Sequence, residues 1–115
     1  MRAMIIVSVD RSNGTINGYT VKGHAGYRPP GEDIVCAAVS MLAQTTLLGL
    51  ARFIRKGLAY DINDSGTLSC RLPDELGKKE QLQAQAILET MVMGLKNLQG
   101  NYKGYVTVFR RRWTS

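Results

Sequence analysis

The chain opens on a period-two pattern. Within Ala3–Val9 the apolar residues Ile5, Val7 and Val9 share one side of an extended chain, as a half-buried strand requires. Asn13-Gly14, closing the polar stretch that starts at Asp10, supplies residue types that tolerate positive φ, so a tight type I′ turn is expected to return the chain along Thr15–Gly23. Gly26-Tyr27-Arg28-Pro29-Pro30-Gly31 then breaks the pattern, and its prolines and glycines predict a surface loop that neither helix nor ladder enters. Asp33 ends that loop as an expected N-cap, and the apolar run from Ile34 predicts a helix to about Arg55, stopped by Gly57. Apolar residues occupy nearly its whole circumference, which predicts burial on several sides, between a sheet and something else such as a second subunit.

Strand periodicity resumes at Leu58–Ile62 and Thr67–Leu72, joined by Asn63-Asp64-Ser65-Gly66, with Leu68, Cys70 and Leu72 on the core face. Helical spacing of Leu88, Met91, Val92, Leu95 and Leu98 predicts a second helix over Leu76–Leu98, introduced by Pro73-Asp74 and closed by Gly100. Tyr105–Phe109 is the last expected strand. The order is ββαββαβ: an α+β domain over residues 1–115, with a mostly antiparallel sheet packed by two helices.

Composition narrows the function classes. A chain of 115 residues with 44% hydrophobic side chains can bury about 65% of its unfolded surface, and it needs neither a disulfide ladder nor a structural metal. Cys36 and Cys70 are too few for a stapled scaffold and form no CxxC pair, so a reducing, cytoplasmic address is expected. Met4–Val7 is too short for a signal peptide's apolar region, and the run inside Ile34–Leu50 is broken by Ser40, Gln44, Thr45 and Thr46, so neither secretion nor membrane spanning is expected. The net charge of +6 raises nucleic acid as a partner, but it is uneven: no acidic residue follows Glu89, whereas Lys96, Lys103, Arg110, Arg111 and Arg112 do. The basic character therefore reads as a C-terminal tail on a nearly neutral body.

The chemistry converges on few residues. The only histidine, His24, stands in Gly23-His24-Ala25-Gly26 at an expected strand end, and Cys36 follows in the expected first turn of the first helix. Backbone donors and the helix dipole favour thiolate at such a position, and a nearby imidazolium would favour it further. A strand end and a helix start joined by a short loop are commonly neighbours, so an activating Cys-His pair is geometrically open. The plainer readings are a small buried hydrophobe at Cys36 and a solvated imidazole at His24. Asp33 reads either as a cap alone or also as the group that orients His24. Ser40, four residues after Cys36, shares its helical face and either donates into the site or packs. Gly26, Tyr27, Arg28 and Gly31 read as a hinged loop that admits an extended peptide, or as an ordinary connection. No zinc or calcium spacing and no phosphate-binding loop is present, so no metal or cofactor is expected.

Gly23-His24-Ala25 and Asp33-Ile34-Val35-Cys36-Ala37-Ala38-Val39-Ser40, with the loop between them, closely resemble the ribosomal-processing cysteine protease (Prp) family. The resemblance, which extends to the length and the ββαββαβ order, implies a cytoplasmic endopeptidase that is typically a homodimer. Its implied substrate is large-subunit ribosomal protein L-twenty-seven, whose N-terminal extension is cut after a hydrophobic, aromatic-rich stretch and before a small residue. It implies Cys36 as nucleophile, His24 as its partner, and Asp33 and Ser40 at the family's acidic and serine positions. The competing reading is a non-enzymatic, ribosome-associated or RNA-binding module that uses Arg110-Arg111-Arg112-Trp113.

Overall fold

The computed structural model describes residues 4–23, 30–64 and 66–112, the side chains of 30–33 and 112 excepted. Asn13 and Gly14 adopt the positive φ their residue types permit, 51° and 79°. They join strand β1 (Ile5–Ser12) to strand β2 (Thr15–Lys22) in the expected antiparallel hairpin. Helix α1 covers Pro30–Phe53, strands β3 and β4 cover Ala59–Ile62 and Leu68–Arg71, helix α2 covers Lys78–Asn101, and strand β5 covers Val106–Arg112. The five strands lie in the order β3-β4-β2-β1-β5, with all pairs antiparallel except β1 with β5. The expected ββαββαβ order and α+β class are both present.

Alternation decides which face is covered. Ile5, Val7, Val9, Tyr19, Val21, Leu68 and Cys70 are buried and form one core with Val35, Val39, Ala43 and Leu50 of α1 and Ala84, Leu88, Met91 and Leu95 of α2. Polar bonds fix the helices on this core. The Tyr19 hydroxyl donates to the Ala43 carbonyl at 2.8 Å, which seats α1 over β2. The Gln85 side chain accepts from the Ile16 amide and donates to the Ile16 carbonyl, at 2.9 and 2.8 Å. A bulge at Asn17 of β2 returns Ile16 to the core face, while Arg11, in phase with Val7 and Val9, reaches α2 and forms a two-pronged pair with Glu89 at 2.9 and 2.8 Å that holds that carboxyl below its ordinary range.

Several boundaries differ from expectation. Pro30 and Gly31 open α1 rather than ending a loop, so Asp33 is the fourth helical residue and not the N-cap. The reason is that proline is excluded only from a helix interior; at the first position its fixed φ suits the helix and its missing amide costs nothing. Gly100 lies inside α2, and the reversal falls instead at Gly104, with φ 88°. The C-terminal arginines are not a tail: β5 runs parallel to β1 as far as Arg112. Arg111 there meets the buried carboxylate of Asp10 at 2.6 and 3.1 Å, so part of the basic excess is spent inside the sheet.

Residues Ile34–Phe53 of α1 are, by length and by a mean hydropathy of 1.9, apolar enough to cross a membrane. In this fold Val35, Val39, Ala43, Leu47 and Leu50 face the core, while Ile34, Met41 and Leu48, seven residues apart, are exposed. The nearly all-apolar circumference therefore resolves into one covered face and one open apolar stripe.

Candidate active site

Helix α1 leaves the sheet end at which β2 finishes. Gly23 closes β2 with φ 93°, and a Cβ there would stand 2.5 Å from the carbonyl oxygen of Met4, so the chain passes against the start of β1 in a form reserved for glycine. Seven residues later α1 begins, and the bond from Tyr19 to Ala43 directs it back across β2. The far end of α1 is held by the Glu80 carboxylate, which accepts the Arg55 amide at 3.0 Å. Cys36 thus sits on the half of α1 nearest the β2 exit.

Cys36 is half-buried and packs on the edge of the core, and Ser40, also half-buried, lies one turn further along the same helical face. Because α1 starts at Pro30, Cys36 is in the second helical turn and not the first. Its amide has Glu32 as its i−4 partner, and the amides that precede the ladder belong to Gly31 and Glu32. The loss is partial, since a helical Cβ tilts toward the N-terminus and carries the cysteine side chain back over the preceding turn. The backbone places Asp33 on that turn, three residues before Cys36. Gly31 is part of the helix rather than of a hinged loop. His24, Gly26, Tyr27 and Arg28 lie outside the described residues, as does the side chain of Asp33.

The second cysteine has a different environment. Cys70, opposite Tyr19 in the ladder, is 4% exposed, and burial pushes its thiol up to about 12. It faces the core, as its strand periodicity predicts. Iodoacetamide at pH 8 is therefore expected to modify Cys36 at least about tenfold faster than Cys70, read by peptide mapping, because only the accessible thiolate reacts. Equal rates at the two positions would mean that the fold does not distinguish them.

Sequence reasoning missed two residues that shape this region. Tyr19 appears in the sequence as one more apolar strand position, and nothing local reveals that its hydroxyl ties the sheet to α1. Gly23 is the first residue of the histidine motif, but nothing local reveals that its positive φ and the close pass of the Met4 carbonyl require glycine there. Among the described residues, no group of three or more His, Cys, Asp or Glu converges as a metal site.

Known proteins share both the sequence pattern and the fold. The sequence pattern of the family described as Cysteine protease Prp matches residues 4–107. The chain is 28% identical over 109 residues to the ribosomal processing cysteine protease Prp of Bacillus subtilis, covering 91% of this chain and 96% of that one. A Streptococcus mutans protein of known crystal structure superposes with a TM-score of 0.81 at 29% identity, over 96% of this chain and 97% of its own. The S. aureus essential ribosomal processing protease Prp, crystallised with a substrate peptide, gives a TM-score of 0.82 at 23% identity over 94% of this chain and 100% of that one. The same S. aureus protein with a covalently linked product peptide gives 0.78 at 24% identity, with the same coverage.

Proposed function

The chain belongs to the Prp family of cysteine proteases, and from that premise we propose that it is the endopeptidase that removes the N-terminal extension of large-subunit ribosomal protein L-twenty-seven through a Cys36-His24 dyad. The observation that carries this reading is the position of Cys36: a half-buried thiol near the start of α1, at the sheet end where β2 leads into His24. The other cysteine is sealed in the core.

In the proposed reaction His24 takes the thiol proton and the Cys36 sulfur attacks the scissile carbonyl carbon. The tetrahedral oxyanion collapses to a thioester as the peptide C–N bond breaks, and His24 gives its proton to the leaving amine. Water, deprotonated by His24, then cleaves the thioester and restores the thiol. The oxyanion is served by amides at the head of α1, where those of Gly31 and Glu32 precede the i−4 ladder, each worth about 2.7–4 kcal/mol at the transition state. Asp33 orients the imidazole, and Ser40 donates toward the same helical face. The S. aureus relative's covalently linked product peptide supports a covalent route.

The enzyme acts in the cytoplasm as a homodimer, and the exposed stripe Ile34, Met41 and Leu48 along α1 supports self-association. Burial of Arg111's partner Asp10 counts against the rival RNA-binding reading, because that arginine is already committed.

Incubation with a panel of extended peptides, read by mass spectrometry, tests activity and position together. One cut is expected, after an apolar, aromatic-rich stretch and before a small residue. If no peptide is cut by a molar excess of enzyme, the endopeptidase reading is wrong.

A further inference from the structure

Strand β3 is an edge of the sheet, paired on one side only, with β4. Its pairing shows which backbone groups are left over. The Asn63 amide donates to the Thr67 carbonyl at 3.0 Å, and the register Asp61↔Ser69 and Ala59↔Arg71 continues that phase. In an antiparallel ladder hydrogen-bonded pairs alternate, so Ala59 and Asp61 bond to β4 while the amides and carbonyls of Tyr60 and Ile62 point outward. The opposite side of β4 agrees, since the Leu72 amide bonds to Asn17 and places Leu68 and Cys70 in phase with β2. The side chains of Tyr60 and Ile62 share the helix-bearing face, yet they are 61% and 55% exposed. An edge with four outward backbone groups and two uncovered apolar side chains is what an extended peptide completes.

We propose that the outer edge of β3 is a strand-addition site, occupied by an extended segment of the peptide substrate. This rests on the peptidase reading given above. The segment carries branched or aromatic side chains at alternate positions, opposite Tyr60 and Ile62, with lysine or arginine between them. The basic residue follows from charge: Asp61 and Asp64 are exposed at this edge, and neither is in an ion pair among the described residues. The same charge argues against a second copy as occupant. A two-fold pairing of β3 with itself that uses both outward residues sets Asp61 directly opposite Asp61, like charge against like.

Position links the edge to the thiol. Ile62 pairs with Leu68 and Leu68 with Val21, two residues before Gly23, so the Ile62 end of the edge is the end from which the chain leaves for His24. β3 is two strand spacings from β2, about 10 Å, which three or four extended residues cross. A substrate gripped at β3 therefore reaches α1 with few residues between.

The test uses the full chain as Cys36→Ala, to prevent turnover, and a fluorescein-labelled octapeptide of alternating valine and lysine, read by anisotropy. A matched octapeptide with N-methylated valines keeps the side chains and removes the donors that would meet Tyr60 and Ile62. N-methylation is expected to weaken binding at least tenfold. Asp61→Lys is expected to do the same, and Ile62→Pro likewise, since its outward amide is not used inside the fold. Equal affinity for the two octapeptides, or binding unchanged by Asp61→Lys, overturns the edge site, and neither result depends on whether Ile62→Pro folds. In the active enzyme, kcat/KM on a peptide carrying the segment is expected to fall at least tenfold with Asp61→Lys; cleavage that proceeds undiminished also overturns the edge site while leaving the peptidase reading in place. Edge binding that passes the anisotropy tests in a protein that cuts no peptide supports strand addition and removes the peptidase reading instead.

Discussion

Cys36→Ala is expected to lower cleavage of an extended peptide by at least about 10⁴-fold, the order lost when a covalent nucleophile is removed and only binding and oxyanion contacts remain. Cys36→Ser should be equally silent, because a hydroxyl in the same place lacks the acidity and softness of a thiol. Neither change should unfold the protein. Cys36 is half-buried at the margin of the core, and trimming one sulfur there costs no more than about 1 kcal/mol. The control is Cys70→Ala. That sulfur is buried in the core opposite Tyr19, so its loss should cost about 1–2 kcal/mol in chemical denaturation and leave kcat/KM unchanged. Undiminished cleavage by Cys36→Ala, measured by mass spectrometry on the same peptide, would remove the covalent mechanism; silence in Cys70→Ala alone would reverse the assignment of the two thiols.

The contrast between those two cysteines was legible without coordinates. Cys70 alternates with Leu68 and Leu72, and period two sends it to the core with them, where it is found. The first hairpin was equally plain, because Asn13-Gly14 between two alternating runs admits few other conformations. What the sequence concealed depends on partners far along the chain. β5 extends three residues beyond its apolar stretch because Asp10, about a hundred residues away, receives Arg111, so charges that looked like a solvated tail belong to a ladder. The start of α1 was hidden differently: proline next to glycine signals a loop in most settings, and only the position of Pro30 at the first helical residue makes it compatible. That shift moves Cys36 from the first turn to the second and leaves Asp33 inside the helix rather than capping it. For the candidate site, the shared helical face of Cys36 and Ser40 was readable from spacing alone, whereas the fastening of α1 through the Tyr19 hydroxyl was not. The open edge of β3 was hidden for the same reason, since which face of Tyr60 and Ile62 stays bare depends on how far α1 spreads across the sheet.

Gly23→Ala is expected to be the most damaging single-methyl change near the site. Two costs act together. At φ 93° an L side chain is strained by about 1–3 kcal/mol, and the added Cβ would meet the Met4 carbonyl oxygen at 2.5 Å, a contact with backbone that no rotamer relieves. The end of β2 must therefore move off β1, and the next residue is His24. A displacement of about 1 Å in a catalytic group can cost about 10²-fold in rate, so kcat/KM on an extended peptide should fall by about that factor in addition to the loss of stability. Gly14→Ala separates strain from collision. Gly14 has φ 79° and nothing within 4 Å of an added Cβ, so that variant should lose only about 1–2 kcal/mol and keep its activity. Chemical denaturation together with cleavage kinetics on both variants checks the pair. If Gly23→Ala cleaves within twofold of the parent, the path of the chain out of β2 does not set the geometry of the dyad, and the placement of His24 must be governed from the helix side instead.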